Sequence, residues 1–289
     1  MSTNGGVRKY FSATDRAVAS TPVFEVRTTV QLDFRSRELT IKLVYYGPAL
    51  SGKTTNLLSL HKLADERCRG DLMTLETCDD RTLFFEMLPL CCEATGFEAK
   101  GALRLRLKLF TVPGQVIHTS TRRLVLQDAD GVAFVADSQK SQVAENVTSF
   151  TDLRNNFASY GRQLEHVPLV IQYNKQDLPN TLSPRQLAAL AEHGLEPVYR
   201  AVATTDVGVL ETLVALLFLT WEDLTRRHPF DRKFQLQRDT FITQLLSHMG
   251  WQGSYQQLLG QCLGKSFFAI DELSPVTDLS LNPLPKACR

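Results

Sequence analysis

The sequence predicts an α/β domain with a mostly parallel sheet covered by helices on both faces. Two observations carry this. From Leu39 to about residue 228, short β-branched or aromatic runs alternate with stretches whose apolar residues recur at helical spacing. Strands linked through helices pair in parallel and bury both faces. The first run, "LTIKLVYYG", stops at Gly47 in a glycine-bearing loop, and the carboxyl ends of such strands are where these folds hold ligands.

The elements follow in order. After the first strand, "TTNLLSLHKLAD" carries apolar residues at helical spacing. "TLFFEMLPL" and "ALRLRLKLF" flank the turn-rich "EATGFEAKG" and read as a hairpin. In the second of these, apolar residues alternate with Arg104, Arg106 and Lys108, which predicts one face on a core and the other in water. "GVAFVAD", a helix from about Gln142 to Arg162, and the strand "PLVIQYN" come next. Ser183 as N-cap, Pro184 in the first turn and Gly194 as stop bound a helix over "SPRQLAALAEHG". The strand "PVYRAVA" and a helix from about Val209 to Arg227 close the series.

Outside this domain, residues 39–228, lie two extensions. Residues 1–38 read as a partly disordered segment leading into an added strand. Residues 229–289 read as a helical extension with a loose tail, in which "FQLQRDTFITQLLSHMG" and "SYQQLLGQCLG" carry apolar residues near helical spacing. Those helices either pack back on the domain or hold a partner.

Bulk composition excludes several classes. The 289 residues carry 32 basic and 31 acidic side chains, net +1, too balanced for a protein that coats nucleic acid or anionic lipid. "MSTNGGVRKY" lacks the apolar core of a signal peptide, and "LVALLFLTW" is too short to span a bilayer. In "LPKACR" the cysteine is misplaced for prenylation. The expectation is a cytoplasmic protein with no integral membrane segment and no nucleic-acid partner. The six cysteines (Cys68, Cys78, Cys91, Cys92, Cys262 and Cys288) show no metal-binding spacing and read as reduced thiols. His61, His118 and His193 are scattered without ligand spacing.

The strongest chemical signal is "GPALSGKT", Gly47 to Thr54, between a predicted strand and a predicted helix. Gly47, Ser51 and Gly52 belong to a loop whose backbone N–H groups can curl around phosphate oxygens. The helix beginning at Lys53, Thr54 and Thr55 presents its N-terminal dipole to the same anion. Lys53 reaches the outer phosphates and Thr54 ligates Mg²⁺ in such loops. "NKQD" follows the apolar strand "PLVIQY". The Asp177 carboxylate can accept from guanine N1–H and the exocyclic amine, which adenine does not offer, so the pairing selects GTP and GDP. Asn174 can fix the loop or the purine edge, and the Lys175 stem can lie over the ring. The Ala203 N–H in "AVATT" is either a donor to guanine O6 or an ordinary strand end.

"TVPGQ", Thr111 to Gln115, has the glycine-glutamine turn of a nucleotide switch but begins with threonine where a metal-holding aspartate is usual. Mg²⁺ keeps an oxygen-only shell whose waters need acceptors. Glu86, on the neighbouring predicted strand, is either the displaced carboxylate or a wet strand-face glutamate.

Together "YYGPALSGKTTN", "DRTLFFEMLPL", "TVPGQV", "GVAFVADSQ", "YNKQDLP" and "VGVLETL" resemble the MglA-type bacterial small GTPases, Ras-like proteins of gliding motility and cell polarity. The resemblance covers about residues 39–227 and implies a P-loop NTPase G domain. It implies that Thr111 is a family trait. It further implies that Thr82 contacts Mg²⁺ and the γ-phosphate, and that Arg81 is an arginine finger supplied in cis; Asp79 and Asp80 could equally be that arginine's ion-pair partners. Gly114 would donate its N–H to the γ-phosphate and Gln115 would orient the attacking water. The implied partners are a roadblock-domain activating protein and polar or cytoskeletal effectors, and the implied location is cytoplasm with recruitment to cell poles. A P-loop small-molecule kinase is the reading that "NKQD" and "TVPGQ" oppose.

The sequence departs from that family at Ala49, where glycine is usual. A methyl there crowds the glutamine and the arginine finger, so an alternative is a GTP-loaded binding module with very slow hydrolysis. Ala49→Gly is expected to speed single-turnover GTP hydrolysis severalfold; an unchanged rate removes the effect assigned to the methyl.

Overall fold

The computed structural model describes residues 31–33, 38–76, 84–93, 104–114, 119–228 and 237–263. Strand β2 (Glu38–Tyr46) is the axis of the sheet. It pairs in parallel with β5 (Arg104–Thr111) on one side and β6 (Gly131–Asp137) on the other, and β7 (Leu169–Asn174) and β8 (Val198–Arg200) continue the parallel run. On the far side of β5 the sheet turns antiparallel. There β4 (Phe84–Glu93) pairs with β5 as the expected hairpin, and β3 (Met73–Glu76) pairs with β4. The order is β3-β4-β5-β2-β6-β7-β8, with β1 (Gln31–Asp33) added antiparallel to β2.

Local sequence explains these choices. β5 alternates buried and wetter positions along its length, so its leucines face a core while Arg104, Arg106 and Lys108 face outward. β6, central and sandwiched, is buried at every residue, including its terminal Asp137. The helix α4 (Pro184–His193) starts with a complete capping box: Ser183 Oγ accepts from the Gln186 N–H, and Gln186 Oε1 accepts from the Ser183 N–H at 2.9 Å. The helix α5 (Val209–Arg227) occupies the span expected of it.

Two cores result. One lies between the sheet and α1 (Lys53–Leu63) with α5; the other lies beneath α2 (Thr119–Leu126) and α3 (Val143–Ala158). The helices of the carboxyl-terminal extension, α6 (Arg238–His248) and α7 (Tyr255–Leu259), add a layer to the first core. Phe241 stacks on Trp221 with ring centroids 5.4 Å apart, and the Arg238 guanidinium lies 4.0 Å above the Phe218 ring while pairing with Glu222. Of the two roles open to these helices, packing on the domain is the one the geometry displays. Among the described residues, no helix is long and apolar enough to cross a membrane.

Ile242 on α6 is fully buried in that core. Ile242→Ala is expected to lower unfolding free energy by about 2–5 kcal/mol in chemical denaturation. A negligible change would show the layer to be energetically separate.

Candidate functional site

The site forms where β2, β5, β7 and β8 end together. β2 delivers its last residue, Tyr46, to Gly47, and the chain turns under the carboxyl end of β6. A Cβ on Gly47 would sit 2.2 Å from the Val135 carbonyl oxygen, so only glycine passes there. Gly52 enters α1 at φ 98°, and a methyl there would sit 2.1 Å from Asn174 Nδ2. Leu50, at φ 60°, takes the left-handed conformation without being glycine and stands 88% exposed at the loop tip.

Lys53 opens α1 with a buried ammonium. Nζ donates to the Gly47 and Pro48 carbonyl oxygens at 3.0 and 2.6 Å. Burial pushes its pKa down to about 8; the nearby Glu86 carboxylate opposes that shift, and the Arg122 and Lys175 charges add to it. The lysine lines a cavity of about 450 Å³, together with the exposed Thr54, the half-buried Thr55, Ala49, Thr111 and Gly114.

Thr111 ends β5 beside Glu86 of β4. Its hydroxyl donates to Glu86 Oε2 at 3.0 Å and accepts the Glu86 N–H at 3.3 Å. Glu86 is 8% exposed, so it is a buried, hydrogen-bonded carboxylate rather than a wet strand-face residue. Threonine at this position therefore carries an acid from the adjacent strand. Gly114 presses on the loop: a Cβ there would lie 2.3 Å from both Cα and N of Ala49. Arg81, Thr82 and Gln115 lie outside the described residues.

Asn174 joins the far side. Its Nδ2 donates to the Ser51 carbonyl oxygen at 2.9 Å, and its Oδ1 accepts the Ala203 N–H at 3.0 Å. That amide, a candidate donor to a base, is committed to the asparagine in this structure. Lys175 takes φ 65° and pairs with Asp137 at 2.7 Å, while Asp177 is exposed three residues beyond Asn174.

Several supporting residues escaped the sequence reading. Asn56 and Gln172 exchange two amide hydrogen bonds of 2.9 Å, Asn56 also donates to the Gly52 carbonyl at 2.9 Å, and Gln172 reaches Thr212 at 2.9 Å. Lys62 and Ser59 of α1 hold Asp206, three residues past Ala203, at 2.7 and 2.8 Å. A glutamine inside the apolar "PLVIQYN" was the available signal, because a polar residue at a core position needs a partner.

The residues fit a bound nucleoside phosphate. A buried ammonium whose hydrogen-bond partners among the described residues are carbonyl oxygens faces a cavity lined by glycines that admit no side chain, and the exposed Thr54 lines the same cavity. Among the described residues no group of three or more His, Cys, Asp or Glu side chains could hold a metal alone. A cation here would use hydroxyl and phosphate oxygens, as Mg²⁺ does in such sites. Among the described residues, Cys91 and Cys262 are thiols outside any disulfide.

A parallel sheet whose first strand feeds such a loop, with a guanine-type tetrapeptide two strands away, defines a P-loop GTPase fold. Over 196 residues the chain is 44% identical to the mutual gliding-motility protein MglA of Myxococcus xanthus, a match covering 68% of this chain and 97% of that protein. The chain belongs to the MglA-type family of bacterial Ras-like small GTPases. No protein-family model matches it.

The depressed Lys53 pKa has a binding consequence. An anion favours the charged ammonium, so GDP affinity is expected to hold at neutral pH and to fall as pH rises through about 8. The slope should approach about tenfold per pH unit. Fluorescence titration across mildly alkaline pH measures this, and a flat profile removes Lys53 as the titrating contact.

Proposed function

We propose that the protein is a GTP-binding and GTP-hydrolysing switch that helps localise motility or polarity machinery. The observation that carries the reading is the junction at Asn174, which binds the phosphate loop to the base loop through one buried amide. Membership of the MglA-type family supports the cellular role.

In this reading Gly47, Ser51, Gly52, Lys53, Thr54 and Thr55 hold the phosphates, and Lys175 and Asp177 hold guanine, while Asn174 fixes the loop and takes up the Ala203 N–H. Mg²⁺, when bound, neutralises charge between the β and γ oxygens. Thr54 and Thr82 would supply oxygens to it, and Glu86, hydrogen-bonded to Thr111, would accept from its waters. Gly114 offers its N–H to the γ-phosphate, Gln115 orients water, and Arg81 neutralises developing negative charge. GTP-dependent ordering of these segments would be read by polar or cytoskeletal effectors, with a roadblock-domain protein accelerating turnover. Cytoplasmic residence with recruitment to cell poles completes the reading.

A second reading rests on Ala49. Gly114 lies directly on the Ala49 backbone, and the exposed methyl faces the same cavity. A side chain there stands where switch residues must close, which supports a GTP-loaded module that turns over slowly unless a partner assists.

Calorimetry separates these from other nucleotide proteins. GDP should bind roughly 10⁴-fold tighter than ADP, because a site built to pair with N1–H leaves its carboxylate unpaired on adenine. Asp177→Ala should erase most of that ratio. Equal affinity for the two nucleotides would sink the guanine assignment. Timed nucleotide analysis of the GTP-loaded full chain, alone and with the roadblock protein, then distinguishes a regulated enzyme from an inert module.

A further inference from the structure

Gln172 of β7 is fully buried, and its side chain joins three elements. Its Oε1 accepts from Asn56 Nδ2 and its Nε2 donates to Asn56 Oδ1, both at 2.9 Å. The same Nε2 donates to the Thr212 hydroxyl at 2.9 Å and to the Gly208 carbonyl oxygen at 3.3 Å, where α5 begins. Asn56, in the first turn of α1, is fully buried as well, and its Nδ2 also donates to the Gly52 carbonyl oxygen at 2.9 Å.

The Gly52 carbonyl and the Lys53 N–H belong to one planar peptide unit, so whatever holds the first aims the second. Two bonds hold it, from the Asn56 backbone N–H at 3.0 Å and from the Asn56 side chain. The preceding unit, the Ser51 carbonyl with the Gly52 N–H, is held by Asn174 Nδ2 at 2.9 Å. Gln172 and Asn174 stand two apart on β7 and project from the same face. Neighbouring side chains of one strand thus set two consecutive peptide units of the phosphate loop, Asn174 directly and Gln172 through Asn56. Gly52 has no side chain with which to cap α1, so the first N–H groups of the helix take their aim from these units.

As a source of stability the amide pair counts for little. Replacing both partners of a buried hydrogen bond by apolar groups of the same shape is close to neutral. Here the Gly52 carbonyl would keep the Asn56 N–H, and the Thr212 hydroxyl would still donate to the Gly208 carbonyl at 2.7 Å. Leu57 and Leu60, fully buried on the same helix, would continue to hold α1 on the sheet. What the pair supplies is direction.

We infer that Gln172, acting through Asn56, is a positioning residue for phosphate binding: it fixes the Gly52–Lys53 peptide so that the Lys53 N–H and the Lys53 ammonium serve the same outer phosphate. This rests on the nucleotide-binding reading above. The effect is graded by phosphate number, because GDP carries the outer phosphate that the lysine reaches and GMP lacks it.

The test uses the full chain with the paired exchange Asn56→Leu/Gln172→Met, the apolar shapes nearest to the two amides. Thr212→Val, which removes a hydroxyl that steadies Gln172, is the milder second variant. Calorimetry gives the Kd of GDP and of GMP for each, and melting temperature is recorded beside them. The expected result for the paired exchange is GDP binding about tenfold weaker with GMP changed by less than about twofold, since bonds to a charged oxygen are the strong ones. Thr212→Val is expected to weaken GDP about twofold to threefold with the same selectivity. Unaltered GDP affinity in the paired exchange would overturn the inference. So would equal losses for GDP and GMP, which would mark the amides as support for the fold alone. If the paired exchange does not fold, Thr212→Val decides, and an equal loss or none overturns the inference there too. A wild-type chain that binds neither nucleotide removes the nucleotide reading itself, whereas tight GDP binding by both wild type and variant removes this inference alone.

Discussion

The side-chain amide of Asn174 is the contact on which the arrangement of the site depends. It is buried, and it both donates, to Ser51, and accepts, from Ala203. A carboxylate of the same size could only accept, and glutamine would be a methylene too long. Through that amide, loops leaving the ends of three strands become one surface, and the entropy of ordering them is met at a single point. Gly52 is the other half of the contact, because the space a methyl would need is taken by Asn174 Nδ2. The glycine of the phosphate loop and the asparagine of the base loop are therefore matched parts, although more than a hundred residues separate them.

Around this junction the charges are arranged to hold one more anion. Lys53 is buried with carbonyl oxygens as its hydrogen-bond partners, a costly state for an ammonium, which the depressed pKa expresses. Glu86 offsets part of that cost from across the cleft, and Thr111 keeps the carboxylate in place. An aspartate at position 111 would have put a second acid beside Glu86. Threonine avoids that repulsion and delivers a carboxylate from the neighbouring strand. In the proposed reading, Glu86 supplies the acid that "TVPGQ" itself lacks.

Much of the fold was legible because its signals are local. The β5 alternation, the Ser183 N-cap and the long apolar helix ending at Arg227 each depend on neighbours within a few residues, and each stands where it was expected. The strand and helix that flank "GPALSGKT" and the strand that ends at Asn174 were legible for a similar reason, since short fixed spacings encode backbone geometry. What escaped were contacts between distant elements. Nothing in the spacing of Asn56, Gln172 and Thr212 announces that they meet. Nor does anything local announce that Arg122 and Arg123 of α2 reach Asp152 and Asn156 of α3. Glu86 stayed ambiguous because strand periodicity assigns a face and not a partner.

The carboxyl-terminal layer shows how this family's domain can be enlarged without obstructing its site. α6 and α7 pack on the face of the sheet that holds α1 and α5, whereas α2 and α3 occupy the other core. Their polar contacts fall at the far ends of the elements that carry the nucleotide loops. The His248 carbonyl accepts the N–H of Asp65, just beyond α1, and the Leu259 carbonyl accepts the Tyr199 hydroxyl of β8. Leu263 adds a bridge to Val198 at the opposite end of β8 from the Ala203 loop. α1 leads back to Lys53 and β8 leads forward to Ala203, so the added layer stiffens both elements from behind. Among the described residues, none from α6 or α7 lines the cavity that Lys53 faces.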